Sequence, residues 1–163
     1  EAAQRGDRRA FDRLLRPHRD QLWGVCLRVT GRHADAEDAV QECLVAIWRG
    51  LPRFRGDSSF TTWAYRIAAN AALAVVRRRH DVNPEVDVAD HRRAFDDVVA
   101  ERDEIQRALA GVPESFRVAL VLREYGGLTY DEIAEHEGIP VQTVKSRINR
   151  ARAAVRAALV EGF

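Results

Sequence analysis

The side chains best equipped for chemistry lie near the C-terminus, where Gln142, Thr143, Lys145, Ser146, Asn149 and Arg150 recur at helical spacing. From Val141 to Ala157 the chain holds five basic residues and no acid. Amides, hydroxyls and cations on one helical face are the groups that meet base edges and phosphates in a DNA groove. For a lone basic helix, a solvated surface is the competing reading. A second concentration, Asp35, Glu37, Asp38 and Glu42, could suggest metal ligands, and His18, His33, His80, His91 and His136 could suggest acid–base work. The histidines are scattered, no H-E-x-x-H or C-x-x-C spacing occurs, and no glycine-rich phosphate loop precedes a helix. No catalytic residue, metal site or cofactor is therefore expected.

The elements that must position the basic face decide its meaning. Thr129-Tyr130-Asp131-Glu132 is a T-x-x-E capping box, which satisfies free backbone donors at both ends of the first turn and sets a helix start. Gly138-Ile139-Pro140 closes that helix and redirects the chain. The following helix carries Val144, Ile148, Ala151, Val155 and Leu159 inward and the polar set outward. Two short helices joined by a glycine-containing turn, with a basic second helix, form the helix-turn-helix that reads a major groove. The motif alone does not separate a polymerase's promoter-reading subunit from a repressor or a response-regulator output domain.

Upstream, Phe11, Leu14, Leu15, His18, Leu22, Val25, Cys26 and Val29 share a helical face that Pro17 should divide and Gly31 should end. A second helix opens with Asp35, Glu37 and Asp38, runs through Val40, Cys43, Leu44 and Ile47 to Leu51, and stops at Pro52. Residues 54–59 compose a loop, with Ser58 or Ser59 capping a third helix from Phe60 to about Arg79. Beyond a segment rich in acid around Pro84, helices are expected over 94–110, 114–125, 129–137 and 141–160. No strand-period segment and no internal repeat is seen.

At 163 residues and 46% apolar, the chain can bury one moderate core or two small ones. The net charge of +1 divides into +6 over residues 1–80, −6 over 81–104 and +1 over 105–163, so an acidic segment separates two blocks. The expected architecture is all-α, with helical domains over 1–80 and 102–163 and an acidic linker over 81–101. No apolar stretch approaches the roughly 20 residues needed to span a bilayer, and neither membrane insertion nor a targeting segment is expected. Cys26 and Cys43 each fall on an apolar stripe, read as buried small hydrophobes, which fits a reducing cytoplasm.

Two blocks of residues then resemble a known family. Asp35-Ala36-Glu37-Asp38-Ala39-Val40-Gln41-Glu42 and Phe54-Arg55-Gly56-Asp57-Ser58-Ser59-Phe60-Thr61-Thr62-Trp63-Ala64-Tyr65-Arg66-Ile67-Ala68-Ala69-Asn70 resemble region 2 of extracytoplasmic-function (ECF) sigma factors. Val112-Pro113-Glu114, Leu128 to Ala134 and Val144 to Arg152 resemble region 4, in the expected order. The resemblance implies a subunit that directs RNA polymerase to promoters, with Asp38, Gln41 and Glu42 contacting the β′ clamp helices and region 4 meeting the β flap. It assigns Phe54, Arg55, Asp57, Ser58, Arg66, Asn70 and Arg77 to minus-ten DNA, with Asn70 as the amide reader of an extruded base and Arg66 and Arg77 to Arg79 on the strand backbone. It assigns Lys145, Ser146, Asn149 and Arg150 to minus-thirty-five bases and Arg123, Tyr130 and Thr143 to phosphates. Two positions depart from the family pattern: Asn149 stands where some relatives carry an aromatic, and Ala74 replaces a common Asp. Phe60 and Trp63 are expected in the core. The acidic linker serves either as a nucleic-acid mimic near the RNA exit path or as a tether, and an anti-sigma factor is the implied regulator. A stand-alone helix-turn-helix repressor or activator is the alternative, and it leaves residues 35–70 unexplained.

Overall fold

A computed structural model of the chain describes residues 1–82 and 100–161. The described residues are helical, with no strand among them. Helices α1 (Arg8–Leu15), α2 (Arg19–Thr30), α3 (His33–Gly50) and α4 (Phe60–Val82) form the first group. Helices α5 (Ala100–Ala110), α6 (Glu114–Glu124), α7 (Tyr130–Glu137) and α8 (Val141–Glu161) form the second.

The breaks fall where backbone chemistry requires them. Pro17 sits in a 3-10 turn, Arg16–His18, that separates α1 from α2. Gly31 ends α2 in the left-handed region at φ 77°, a conformation that a side chain would strain. Pro52 lies in a second 3-10 turn, Leu51–Arg53, after α3. Of the two serines considered, Ser59 is the cap of α4: its Oγ accepts from the Thr62 amide at 3.0 Å. Asp7, not singled out by the sequence, caps α1 by accepting from the Arg9 and Ala10 amides at 2.9 and 3.1 Å. The expected helix start at residue 94, like most of the proposed linker, lies outside the described residues.

In the first group α2, α3 and α4 pack against one another. Val25, Cys26 and Val29 of α2, Ala36, Ala39, Cys43 and Ile47 of α3, and Ala64, Ala68, Ala69 and Ala72 of α4 have no exposed surface. Tyr65 fills the centre and donates its hydroxyl to Gln21 Oε1. Phe60 and Trp63 pack against this core, as expected, but at its edge, where they are half-buried. In the second group Leu122, Leu128, Ile133, Val144 and Ile148 are fully buried, with α6 and α7 both seated on α8.

Burial pushes both thiols up, Cys43 to about 12, which keeps them protonated and unreactive. Cys26 and Cys43 are accordingly expected to resist a thiol-specific reagent in the native protein and both to react in denaturant, as followed by thiol titration. Ile148→Ala should cost about 2 to 5 kcal/mol, measured as a lower urea midpoint.

Candidate nucleic-acid interface

The helix-turn-helix is built by local rules. Thr129 Oγ1 accepts from the Glu132 amide at 3.2 Å, and Glu132 Oε2 accepts from the Thr129 amide at 2.8 Å, completing the capping box. Gly138 turns the chain at φ 65°, and the Ile139 amide donates back to the Ala134 carbonyl at 3.1 Å. This sets α8 with Val144, Ile148 and Ala151 inward and Lys145, Ser146, Asn149 and Arg150 exposed together on the opposite face. Thr143 is half-buried at the start of that face. Arg123 donates to the Leu128 carbonyl at 2.9 Å and stands 4.9 Å over the Tyr130 ring, so these two predicted positions meet. Arg147, turned away from the polar face, lies 3.8 Å from Glu137. Burial raises the Glu137 carboxyl, an effect opposed by Arg147 and Arg77, and burial followed by the Arg66 charge lowers His136.

The loop before α4 borders a cavity of about 510 Å³ lined by Arg53, Phe54, Arg55, Asp57, Ser58, Trp63 and Arg66, and by Glu132 and Glu135 of α7. Phe54 and Trp63 stack at 4.9 Å with their planes tilted 37°, and Phe60 meets Phe54 edge-on at 6.2 Å. Gln4 holds this loop by donating to the Leu51 and Phe54 carbonyls at 3.3 and 3.1 Å. The structure therefore brings Phe54, Arg55, Asp57, Ser58 and Arg66 to one hollow but leaves Asn70 outside it. Asn70 is exposed one turn beyond Arg66, and Arg77 continues the same stripe of α4.

On α3, Asp38, Gln41, Glu42 and Val45 follow the spacing of a single helical face and are all exposed. Glu42 pairs with Arg78, and Asp35 pairs with the largely covered Arg79, which also donates to the Thr30 carbonyl.

Apart from Arg66 and Glu132, the two helical groups touch through residues that the sequence did not single out. Gln106 donates to the Leu27 carbonyl at 2.8 Å, and the Arg28 guanidinium lies 3.8 Å above the Tyr125 ring. Arg66 Nη2 is 3.6 Å from Glu135 Oε2 and 3.5 Å from the Glu132 carbonyl. Arg117 is buried in the second group, and burial lowers it, an effect that Glu114 opposes and Arg79 adds to. Arg53 is a further wall of the cavity; its place among Phe54, Arg55 and Asp57 was the one available signal. No group of three metal-ligating side chains occurs among the described residues.

Among the described residues, an all-helical fold with a capped helix-turn-helix, an exposed basic face and an aromatic, arginine-lined hollow beside the first group is that of a DNA-binding protein. Residues 14–81 match the family model for Sigma-70 region 2 and residues 102–155 that for Sigma-70, region 4. The chain is 39% identical to the RNA polymerase sigma-H factor of Pseudomonas aeruginosa, over 98% of its own length and 91% of that protein. It is 36% identical to the ECF RNA polymerase sigma-E factor of Haemophilus influenzae, over 93% of its length and 88% of that protein. The fold is similar to that of the sigma factor RpoE of Bartonella quintana, solved in complex with the anti-sigma factor NepR, at a TM-score of 0.74 and 24% identity, covering 92% of this chain and 96% of that one. The chain belongs to the sigma-70 family of RNA polymerase sigma factors, in its ECF branch.

Thr129→Ala removes one acceptor of the capping box and is expected to cost about 1 kcal/mol of stability. Differential scanning calorimetry should show the lower transition, with the helical content of the folded state unchanged.

Proposed function

We propose that the chain binds core RNA polymerase and directs it to promoters, where it reads the minus-thirty-five element as duplex and the minus-ten element as opened strand. The observation that carries this reading is the presence of separate exposed faces with different chemistry: acidic and amide groups beside Val45 on α3, and cations, amides and hydroxyls on α8. A carboxylate-bearing helical face with an apolar neighbour suits arginines on a partner helix, here the β′ clamp helices. Lys145, Ser146, Asn149 and Arg150 suit a major groove.

The aromatic and arginine hollow suits an unpaired strand. Taking a base out of the stack costs a few kcal/mol, which stacking against an aromatic and cationic contacts to the backbone offset. Phe54 and Trp63 provide rings there, and Arg53, Arg55 and Arg66 provide charge. Asn70 and Arg77 extend the track along α4, so a strand leaving the hollow would run toward the C-terminal end of that helix. The polymerase carries out the phosphodiester chemistry; this chain supplies position and specificity and is not itself an enzyme. Region 4 docks on the β flap, the protein works in the cytoplasm beside its polymerase, and an anti-sigma factor that covers the polymerase-binding faces is the expected regulator.

The deciding experiment mixes the purified chain with bacterial core polymerase and follows both comigration on size exclusion and promoter-specific transcription. Comigration with transcripts that core alone does not start supports the reading. Tight duplex binding without polymerase binding would return the repressor alternative. Lys145→Ala and Arg150→Ala should each weaken minus-thirty-five-dependent initiation by about 1 to 3 kcal/mol in binding, with core polymerase binding unchanged. Asn70→Ala should impair promoter opening, read by permanganate reactivity, more than duplex binding.

A further inference from the structure

The arginine assigned to the opened strand is already occupied from within the molecule. Arg66 belongs to region 2, yet its guanidinium lies 3.6 Å from the Glu135 carboxylate and 3.5 Å from the Glu132 carbonyl, both in the first helix of the helix-turn-helix. The same two glutamates complete the wall of the hollow formed by the loop before α4. The Glu132 carboxylate is committed to its own capping box, which leaves Glu135 as the exchangeable anion. Its side chain is 77% exposed, whereas that of Arg66 is 22% exposed and its Nε is buried without a hydrogen-bond partner. A carboxylate held at an arginine in an aromatic-walled hollow occupies the position that a phosphate needs.

We infer that Glu135 is an intramolecular occupant of the strand-binding hollow, so that the closed arrangement of the two groups blocks minus-ten strand capture until Arg66 exchanges a carboxylate for a phosphate. The inference rests on the sigma-factor reading of the hollow. The block is selective, because Asp38, Gln41 and Glu42 on α3 and Lys145, Ser146, Asn149 and Arg150 on α8 are exposed in the closed form. Closure therefore leaves the polymerase and duplex faces open and occupies the Arg66 end of the opened-strand site, with Asn70 and Arg77 still exposed.

Closure is also incompatible with simultaneous reading of both elements. They are separated by roughly 80 Å of duplex at about 3.4 Å per base pair. The recognition residues lie in the first three turns of α8, within about 15 Å of its start, and α8 directly follows the helix that touches Arg66. The two groups must part for a promoter to be read, and the Arg66–Glu135 contact is one that parting breaks.

The test uses the full chain and needs no polymerase. Glu135→Gln keeps the shape of the side chain and removes its charge. Small-angle scattering should show the variant expanding at lower salt than the parent, and fluorescence anisotropy should show it binding mixed-sequence single-stranded DNA about two- to fivefold more tightly. Glu135→Arg should give a larger shift in both. The charge swap of Arg66→Glu with Glu135→Arg should recover the compact form without recovering strand binding. Unchanged scattering and affinity in Glu135→Gln, with native circular dichroism, would overturn the inference; so would expansion with no gain in strand affinity. Failure to bind polymerase would sink the sigma reading alone, because neither of these readouts depends on it.

Discussion

Four alanines of α4, at positions 64, 68, 69 and 72, have no exposed surface, and the close approach of helices that they permit governs how everything else is arranged. Small side chains face α2 and α3 along this seam, and Tyr65, Leu73, Val75 and Val76 are the larger groups of α4 that are buried with them. Tyr65 finds one interior place because Gln21 accepts its hydroxyl. Phe60 and Trp63 are displaced to the rim, where they gather with Phe54 into a half-buried aromatic cluster. Arg66, Asn70 and Arg77 are left on an outward stripe. The proposed strand-binding surface is thus what remains of α4 once its alanine seam has been buried.

The second group obeys short-range rules instead. Its cap, its left-handed glycine and the Arg123 bond to the Leu128 carbonyl all link residues within a few positions of one another. Across the boundary between the groups the polar contacts include an amide bond to Leu27, a cation over Tyr125 and the Arg66 contacts, beside a hydrophobic core that continues from one group into the other. A hydrogen bond contributes about 0.5 to 1.5 kcal/mol net, and an exposed cation over a ring about 0.5 to 1 kcal/mol. These polar contacts together are worth a few kcal/mol at most, within the range that polymerase and promoter contacts can supply. Opening this boundary also means parting the apolar contacts that continue from one group into the other.

This contrast explains which parts of the molecule were readable in advance. The capping box, the Gly138 turn and the inward set Val144, Ile148 and Ala151 follow from spacing because the physics that fixes them is local. The division at Pro17 and the end at Gly31 were visible for the same reason. Arg28 over Tyr125, Gln106 at Leu27 and Arg66 at Glu135 join residues far apart in the chain, and no periodicity announces such pairs. Phe60 and Trp63 were expected in the core, and they pack against it from its rim, half-buried. Asn70 was assigned to a pocket by the family resemblance, and the rise of α4 carries it one turn past the hollow.

The choice of cation fits a surface that must change partners. Of the 26 basic residues 25 are arginine, and the single lysine, Lys145, stands on the recognition face of α8. A guanidinium offers five donors in a plane and can stack on a ring while it hydrogen-bonds at its edge, as Arg123 does with Tyr130 and the Leu128 carbonyl. Arg66 likewise meets a carboxylate and a backbone carbonyl at once. An ammonium forms comparable bonds but lacks the planar fork that fits either a carboxylate or a phosphate with little rearrangement. On the strand-binding reading proposed above, the same planar donors of Arg66 that meet an internal carboxylate are suited to a phosphate.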